Sequence, residues 1–321
     1  MSFLSDSLRF SPNLDVAVRS AAAARADVKL ENQDNFLLID ADGMAAFLEG
    51  QVQRQQRVNE WPPGHMRIAV LDGMGGHGRG REAAEAVVAG LLAMPACASL
   101  VQLSGQLDAL HASLQGEFGA GCAAGKRPGT TLTMLELPPG AAAMLYHVGD
   151  SRLYEVTSLA ATPLTIDHVP ATAFAMEGLL TKEEWWQQVH GEHRSQISQA
   201  FILGNAFANP AQLSNPLYAL SPANLPSFLQ HLPDRRMLEL TPGATYVLAT
   251  DGFWACPAAQ AWLQTWPELF NSIANAAQGA QRLFDEITQR PPPELHPDNI
   301  TAIVLRQLAS DETALPVTGS L

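Results

Sequence analysis

Cysteine is scarce in this 321-residue sequence, and its distribution excludes two kinds of site. The three cysteines, Cys97, Cys122 and Cys256, are odd in number and widely spaced, with no CxxC pair. This spacing argues against a disulfide framework and against a zinc site made of thiolates. The first residues also contain no basic region followed by an apolar stretch, which a secretory signal would need. We therefore expect a protein of a reducing compartment, the cytoplasm.

Basic residues are also in short supply. Lysine and arginine number 19 against 32 aspartate and glutamate residues, which gives a formal net charge of -13 although only 16% of the residues are charged. This balance disfavours nucleic acid as a partner. An excess of carboxylates usually forms a solvated surface, but it also arises where several acids converge on bound cations. The positions of the acids therefore decide between the two interpretations.

Long apolar runs are interrupted before they reach the length of a membrane span. Residues 86–107 carry no charge, but Pro95 and Gln102 break the run, which is typical of a buried helix followed by a loop. With 47% hydrophobic residues, the chain can bury a large core. We expect a protein that does not enter a membrane.

Short apolar and β-branched runs recur along the chain and predict strands. They are FLLI (36–39), RIAVL (67–71), TTLTML (130–135), AAMLYHV (142–148), RLYEV (152–156), TYVLAT (245–250) and NITAIVL (299–305). Apolar spacings of three and four predict helices over residues 79–94, 181–189, 258–269 and 272–290. Because only Gly149, Asp150 and Ser151 separate two of the runs, those strands are predicted to pair as an antiparallel hairpin.

Residues 1–308 are expected to form a single domain, because strand-like runs lie on both sides of every irregular stretch. Residues 205–236 contain five prolines and little periodicity, which predicts an irregular insertion rather than a linker. Residues 309–321 are predicted to form a flexible tail.

Aspartates stand at the ends of five predicted strands. They are Asp34 before FLLI, Asp72 after RIAVL, Asp150 after AAMLYHV, Asp251 after TYVLAT and Asp298 before NITAIVL. Taken singly, an Asp-Gly pair is ordinary turn chemistry. Taken together, carboxylates whose direction is fixed by packed strands form an oxygen-rich site, which favours magnesium or manganese over zinc or copper. Two such ions sharing a carboxylate would activate water for attack on phosphorus.

Eight segments occur in an order that is typical of one protein family. They are ENQDNF (31–36), VLDGMGGHGRGREAAE (70–85), GTTLT (129–133), HVGDSRLY (147–154), DHV (167–169), LTPG (240–243), ATDGFW (249–254) and PDNITAIVL (297–305). With them the chain resembles the metal-dependent protein serine/threonine phosphatases of type 2C, the PPM family, and particularly the bacterial members. The resemblance implies an α+β fold, a four-layer α/β/β/α sandwich with two antiparallel sheets flanked by helices. It also implies a mobile flap, here at about residues 168–204.

The resemblance further implies a metal centre of two Mn or Mg ions. Asp72 is similar to the carboxylate that bridges both metals, and the Gly73 carbonyl to a ligand of one of them. Asp251 and Asp298 resemble the other direct ligands of the first metal, and Asp34 resembles a carboxylate that serves the second metal mostly through water. All four aspartates are therefore expected to be catalytic.

Other positions either extend this pattern or depart from it. Asp150 resembles part of a weaker third-metal site. Lys29 stands where the family usually has arginine, and it is expected to bind phosphate more weakly because lysine offers a mobile point charge instead of two parallel hydrogen bonds. Gln33 replaces a glutamate that many relatives have, and Met74 replaces the histidine that eukaryotic members carry after Asp-Gly.

The activity implied by the resemblance is hydrolysis of phosphoserine and phosphothreonine in proteins by metal-activated water, without a phosphoenzyme intermediate. The expected protein is a monomer whose partners are phosphorylated proteins and whose functional opposite is a serine/threonine kinase. The alternative is a catalytically weakened pseudophosphatase that serves as a phosphopeptide-binding or scaffolding module. Lys29 favours this alternative, whereas retention of four mutually repelling carboxylates argues against it.

Two other patterns have weaker support. Gly73, Gly75 and Gly78 satisfy GxGxxG after a predicted strand, as in a dinucleotide-binding unit, but no second strand ends in an acid about twenty residues further on. The HGEH segment at residues 190–193 contains zinc-ligand types, although a polar loop within the flap is the favoured interpretation.

Overall fold

The computed structural model describes residues 8–25, 28–29, 31–75, 79–119, 127–191, 196–207, 216–257 and 259–309, without the side chains of 24–25 and 28–29. Within these ranges the strands are β1 Leu14–Ala21, β2 Ala24–Arg25, β3 Val28–Lys29, β4 Asn35–Ile39, β5 Met44–Glu49, β6 Val52–Arg57, β7 Met66–Leu71, β8 Gly73–Met74, β9 Gly129–Thr130, β10 Leu132–Leu137, β11 Ala143–Val148, β12 Arg152–Val156, β13 Ala161–Pro163, β14 Gln199–Ala200, β15 Gly204–Asn205, β16 Arg235–Leu238, β17 Thr245–Ala249 and β18 Ile300–Gln307.

The helices in the same ranges are α1 Gly80–Ala93, α2 Leu100–Gly119, α3 Pro170–Met176, α4 Lys182–Trp186, α5 Ala259–Leu263, α6 Trp266–Phe270 and α7 Ala276–Gln289. A π-helical turn, Gln187–Gly191, follows α4, and a single 3₁₀ turn, Asp251–Phe253, follows β17. None of the helices in the described ranges combines the length and the apolar character that a bilayer crossing requires.

Two large antiparallel sheets dominate the described part of the chain. One has the strand order β1-β18-β17-β12-β13 and the other has the order β16-β11-β10-β7-β4-β5-β6. Every neighbouring pair in both sheets is antiparallel. This arrangement confirms the expected fold class and is incompatible with a dinucleotide-binding unit, which needs parallel strands.

Alternate side chains of the central strands pack into different layers of the core, as the two-residue period of a strand requires. Phe36 and Leu38 of β4 face the other sheet and pack with residues such as Leu248 and Ile303. The intervening Leu37 of β4 instead contacts a core built with α1 and α2. A third core lies between the five-stranded sheet and α5, α6 and α7. Three apolar layers thus separate four layers of secondary structure.

The α7 helix illustrates how local sequence fixes an outer layer. Its apolar side chains recur at spacings of three and four, from Ala276 to Ile287, and face the sheet. Asn275 caps its first turn by accepting a hydrogen bond from the Gln278 amide at 2.8 Å. The Asp15 carboxylate of β1 accepts a bond from the Ala276 amide at 2.6 Å, which places a negative charge at the positive end of the helix.

The hairpin predicted across Gly149, Asp150 and Ser151 is wrong. The strand before it, β11, belongs to the seven-stranded sheet and the strand after it, β12, belongs to the five-stranded sheet. Gly149 has φ +112°, and a Cβ there would lie 2.5 Å from the Thr131 side chain, so the chain turns sharply out of one sheet into the other. β11 forms its hairpin with β10 instead, through the turn at residues 138–142.

Candidate active site

The strand connections bring the predicted aspartates to one end of the sandwich. β4 starts directly after Asp34 and β7 ends directly before Asp72, and these strands are antiparallel neighbours. β17 and β18 are also antiparallel neighbours, with Asp251 two residues after the first and Asp298 two residues before the second. Asp150 lies where the chain passes between the sheets. Each sheet therefore contributes a pair of aspartates at one of its ends, as antiparallel pairing requires.

Electrostatic interactions show that these pairs face each other across the two sheets. The Asp72 carboxylate lies close enough to Asp251, which follows a strand of the other sheet, for the two charges to repel each other. Asp34 is close enough to be repelled by Asp251 and Asp298. Asp150 is repelled by Asp251 as well. The structure therefore brings together all five aspartates that the sequence singled out.

The pKa values of the cluster reflect burial and mutual repulsion. Burial raises the pKa of Asp34 to about 8, and Asp251 and Asp298 add to the effect. Burial also raises the pKa of Asp251 to about 6, with repulsion by Asp298 as the next cause. The pKa values of Asp72 and Asp150 lie well above the usual range because of burial first and the Asp251 charge second. Such carboxylates ionise readily only when positive charge joins them.

Asp34 is held by two threonines from the other sheet. The Thr250 hydroxyl donates to Asp34 Oδ2 at 2.8 Å and accepts a bond from the Thr301 amide at 3.0 Å. Asp34 is only 3% exposed and Thr250 is fully buried. One oxygen of the Asp34 carboxylate is therefore fixed in direction. Sequence reasoning missed Thr250, although it lies inside the ATDGFW segment.

Asn299 links the ENQDNF segment to the PDNITAIVL segment through hydrogen bonds. Its Oδ1 accepts a bond from the Gln33 amide at 2.9 Å, and its Nδ2 donates to the Glu31 carbonyl at 3.2 Å. Its own amide donates to Asp298 Oδ1 at 2.8 Å. The Asn side chain thereby sets the distance between the segments that carry Asp34 and Asp298.

Thr131 positions the backbone of Asp72. Its hydroxyl accepts a bond from the Asp72 amide at 2.8 Å, and its amide donates to the Asp72 carbonyl at 2.9 Å. Thr131 Oγ1 also lies 2.6 Å from the Ser151 hydroxyl. This chain of contacts links the GTTLT and GDSR motifs to the end of β7, a connection that no local pattern indicated.

The glycines of the two Asp-Gly pairs are required by close backbone approach. A Cβ on Gly73 would lie 2.4 Å from the carbonyl oxygens of Gln33 and Gly80, and one on Gly252 would lie 2.1 Å from that of Asn299. Neither Gly73 nor Gly252 has a positive φ. These pairs are therefore packing sites between motifs rather than the turns that Asp-Gly usually marks.

The donor atoms of the aspartate cluster suit a hard divalent cation, but the side chains are not already arranged as a complete set of ligands. In the ranges that the structure describes, no three Asp, Glu, His or Cys side chains are arranged as ligands of a common ion. The five carboxylates nevertheless supply only oxygen donors, which suit Mg²⁺ and Mn²⁺. The pKa values of Asp34, Asp72 and Asp251 are raised by burial first and by mutual repulsion second, and a bound divalent cation would offset both effects.

Several predicted residues lie outside the described part of the chain. The backbone of Lys29 pairs with Ala24, but its side chain is not described, so its contact with phosphate stays a prediction. Gly78 and residues 192–195, which include Glu192 and His193 of the HGEH segment, are likewise outside. The histidine of that segment that the structure describes, His190, is buried with its ring 4.2 Å from that of Trp186, so it is a packed residue and not part of a polar loop.

The predicted flap packs on the sandwich beside a buried ion pair whose arginine also contacts the flap. Arg152 of β12 makes paired hydrogen bonds to the Asp167 carboxylate, at 2.9 Å from Nε and 2.7 Å from Nη2. Its Nη2 also donates to the Val189 carbonyl at 2.8 Å. Trp185 is buried, and its Nε1 donates to Thr172 Oγ1 at 3.1 Å. At least one of the two flap tryptophans therefore belongs to the core.

A cavity of about 80 Å³ opens beside the aspartate cluster. Asp150 and Asp251 form part of its wall. The rest of the wall includes Arg152 and Trp254 from the sandwich and residues of the predicted flap, among them Phe174 of α3. The flap therefore borders the candidate site.

Comparison with known proteins identifies the architecture. The chain matches no protein-family model and none of the curated proteins by sequence. Its structure is similar to the serine/threonine phosphatase PstP/Ppp of Mycobacterium tuberculosis, with 24% identity over 92% of this chain and 99% of that one and a TM-score of 0.60. The serine/threonine phosphatase of S. agalactiae has 20% identity over 91% of this chain and 99% of that one and a TM-score of 0.62. The catalytic domain of PstP in complex with two manganese ions has 23% identity over 92% of this chain and 98% of that one, with a TM-score of 0.57. The chain therefore has the fold of the bacterial PPM-type serine/threonine phosphatases.

Proposed function

We propose that this protein is a metal-dependent protein serine/threonine phosphatase. The observation that carries the proposal is the meeting of buried carboxylates from both sheets, where Asp72 and Asp34 are both repelled by Asp251. A fold can be shared by proteins of different function, whereas a buried cluster of repelling acids has a cost that only function compensates. The substrates would be proteins that carry phosphoserine or phosphothreonine.

Two Mn²⁺ or Mg²⁺ ions are the proposed cofactors, with a weaker third ion near Asp150. Manganese has the additional support that a PstP catalytic domain, a structure of the same fold, holds two manganese ions. Such ions supply Lewis acidity, which makes water an effective nucleophile toward phosphorus at neutral pH without a phosphoenzyme.

The protein side chains would hold and orient this centre. In the proposal, Asp72 would be a ligand shared by both ions, and Asp251, Asp298 and the Gly73 carbonyl would help to hold the first ion. Asp34 serves the second position, with one of its oxygens already engaged by Thr250 at 2.8 Å. The fixed directions of these groups would preorganise the site before substrate binds. Lys29 would contact the phosphate.

Replacement of the bridging carboxylate tests the proposal. Asp72→Asn should lower kcat for p-nitrophenyl phosphate with Mn²⁺ by about a thousandfold and should abolish tight Mn²⁺ binding in calorimetry, because a neutral amide bridges two cations poorly. Asp42→Asn is the matched control, since Asp42 is exposed and belongs to the β4–β5 turn. Substantial residual turnover by Asp72→Asn would contradict the bridging role.

The same assay separates an enzyme from a scaffolding module. An active phosphatase should hydrolyse p-nitrophenyl phosphate with Mn²⁺ and stop when a chelator is added. No turnover at saturating Mn²⁺, combined with retained binding of a phosphopeptide, would instead support the pseudophosphatase alternative. A cytoplasmic location, a monomeric state and an opposing kinase stay predictions from the sequence.

A further inference from the structure

We propose that the cavity beside the aspartate cluster is a specificity pocket for an apolar side chain next to the phosphorylated residue of a protein substrate. The inference rests on the proposed function and adds to it the kind of sequence that the site accepts. Its support comes from the lining of the cavity, from the state of Arg152 and from the exposure of Phe174.

The cavity is continuous with the candidate metal centre. Asp150 and Asp251 belong both to its wall and to the aspartate cluster. Successive Cα atoms of an extended peptide lie about 3.8 Å apart, so a substrate residue next to the phosphorylated one can reach a cavity that shares a wall with the reacting phosphate. The occupant would therefore come from a flanking position of the substrate.

The remaining wall has an apolar side and a polar side, and the polar side consists of Arg152, Asp167, Gln188 and Gln196. Val169, Pro170, Ala171 and Phe174 come from one short stretch at the start of the predicted flap, and Trp254 comes from the turn after β17. Trp254 is 2% exposed, with the Arg152 guanidinium carbon 4.7 Å from its ring centroid, so this part of the wall is rigid. A volume of about 80 Å³ is suited to one aliphatic side chain and too small for a larger ligand.

Phe174 is the wall residue with the most accessible apolar surface. It is 44% exposed, and it is the one aromatic side chain among the large exposed hydrophobic residues of the described chain. Its helix neighbours Ala171 and Ala175 are buried in an apolar cluster with Trp185 of the predicted flap, so the helix is anchored while Phe174 stays exposed. An aromatic surface held in this way at the edge of a pocket is a typical binding element.

The charges of the pocket disfavour an acidic occupant. Arg152 is the cationic residue among the described lining residues, and its Nε, Nη1 and Nη2 atoms already donate to Asp167, Tyr154 and the Val189 carbonyl. An acidic side chain would therefore enter beside carboxylates without a protein cation to pair with, and burying an unpaired charge is costly. An aliphatic side chain would gain free energy from the same burial.

Paired phosphothreonine peptides test this assignment. The two peptides differ only in carrying leucine or glutamate on both sides of the phosphothreonine. We expect kcat/KM of the natural protein with Mn²⁺ to be about tenfold higher for the leucine peptide, the usual discrimination by one apolar pocket. Phe174→Ala should reduce this ratio to about twofold or less, whereas Phe174→Leu should retain most of it.

A positive charge introduced at position 174 should reverse the peptide preference, which misfolding of the protein would not do. Phe174→Lys should reverse the preference in favour of the glutamate peptide. Leu179→Ala is the matched control, because Leu179 is also exposed, belongs to the same predicted flap and does not line the cavity. It should leave the ratio unchanged. Equal kcat/KM values for both peptides in the natural protein, or an unchanged ratio in Phe174→Ala and Phe174→Lys, would overturn the pocket assignment.

A binding measurement distinguishes failure of the pocket from failure of the proposed activity. The same two peptides, with a non-hydrolysable phosphonate and a fluorescent label, are titrated with each variant and Mn²⁺, and anisotropy gives Kd. A protein that does not hydrolyse p-nitrophenyl phosphate would refute the phosphatase proposal. Tighter binding of the leucine peptide that depends on Phe174 would then still support the pocket assignment. Equal Kd values for the two peptides would refute the pocket assignment.

Discussion

At the scale of single residues, the candidate site depends on side chains that hold the aspartates as much as on the aspartates themselves. Thr250 donates to Asp34 Oδ2 while its own oxygen accepts from the Thr301 amide. Groups that orient metal ligands in this way usually change metal affinity when they are removed. Thr250 is therefore the most informative single position outside the acidic cluster.

Thr250→Val keeps the shape of the side chain and removes the hydroxyl. We expect Mn²⁺ affinity to fall by about tenfold to a hundredfold, because Asp34 loses the bond that fixes its carboxylate. Isothermal calorimetry measures the change, and Thr250→Ser, which retains the hydroxyl, should bind nearly as the natural protein does. Equal Mn²⁺ affinity in Thr250→Val would show that Asp34 needs no such support.

The sequence predicted the aspartates and missed their supports for a physical reason. Aspartates at strand ends are visible in a linear pattern, and the resemblance to a known family gave each one a role. Thr250 and Asn299 act through hydrogen bonds to residues more than two hundred positions away, such as Asp34 and Gln33. Neither local propensity nor periodicity contains that information.

At the scale of secondary-structure elements, the end of the predicted flap is joined to the strand that follows Asp72. The short strand β8 pairs with β9, and Thr130 of β9 exchanges backbone hydrogen bonds with Phe201, at 3.1 and 2.9 Å. Phe201 and Ile202 connect β14 to β15. A continuous set of backbone bonds therefore runs from the candidate site to the flap.

His111 of α2 stabilises the strained part of this connection. Ile202 has φ +72°, which is unfavourable for a β-branched residue. Its amide donates to His111 Nδ1 at 3.0 Å, and the rings of His111 and Phe201 lie 5.3 Å apart, edge to face. Burial lowers the pKa of His111 to about 4, so the ring is neutral near pH 7 and Nδ1 is free to accept.

His111→Ala should loosen this connection and lower the free energy of unfolding by about 2 kcal/mol, through loss of a buried hydrogen bond and formation of a cavity. Hydrogen exchange followed by mass spectrometry should show faster exchange at residues 199–205 in the variant. The control is His231→Ala, because His231 is exposed. Unchanged exchange at 199–205 would show that the strained turn is held by other contacts.

The sequence predicted many of the elements in the described part of the chain, but it missed others. Each of the seven predicted strand runs is a strand in the structure. β6 was missed because all six of its residues are exposed and all but Val52 are polar. The loop expected before residue 107 is instead the beginning of α2, although its buried residues from Leu103 to Phe118 recur at helical spacing. The false hairpin arose because spacing alone cannot tell a turn within a sheet from a step between sheets.

At the scale of the whole molecule, the aspartate cluster makes stability depend on pH. The pKa of Asp34 rises from 3.8 to about 8 on folding, so between these values the folded protein holds a proton that the unfolded chain has released. Stability is therefore greatest below the lower value and is lost as pH rises through the upper one. The raised pKa of Asp251, about 6, acts in the same direction.

In the presence of a chelator, Tm should consequently fall between about pH 5 and about pH 8, and Mn²⁺ should restore it most strongly at the higher pH. Differential scanning calorimetry measures both trends. Asp34→Asn should weaken the pH dependence, whereas Asp42→Asn, at an exposed turn, should preserve it. A Tm that rises steadily over this range without metal would contradict the predicted repulsion.

The two ends of the sandwich differ, and this difference has a practical consequence. All five aspartates lie at one end of the sheets, whereas the β10–β11 turn lies at the other, since Leu137 pairs with Met66 at the start of β7 and not with its end. Gly140 in this turn is exposed, has φ +69° and has open space around it. A reporter domain or an immobilisation tag inserted in this turn would lie at the opposite end of the sandwich from a bound phosphopeptide. The turn is therefore a suitable site for attaching this protein to a sensor surface.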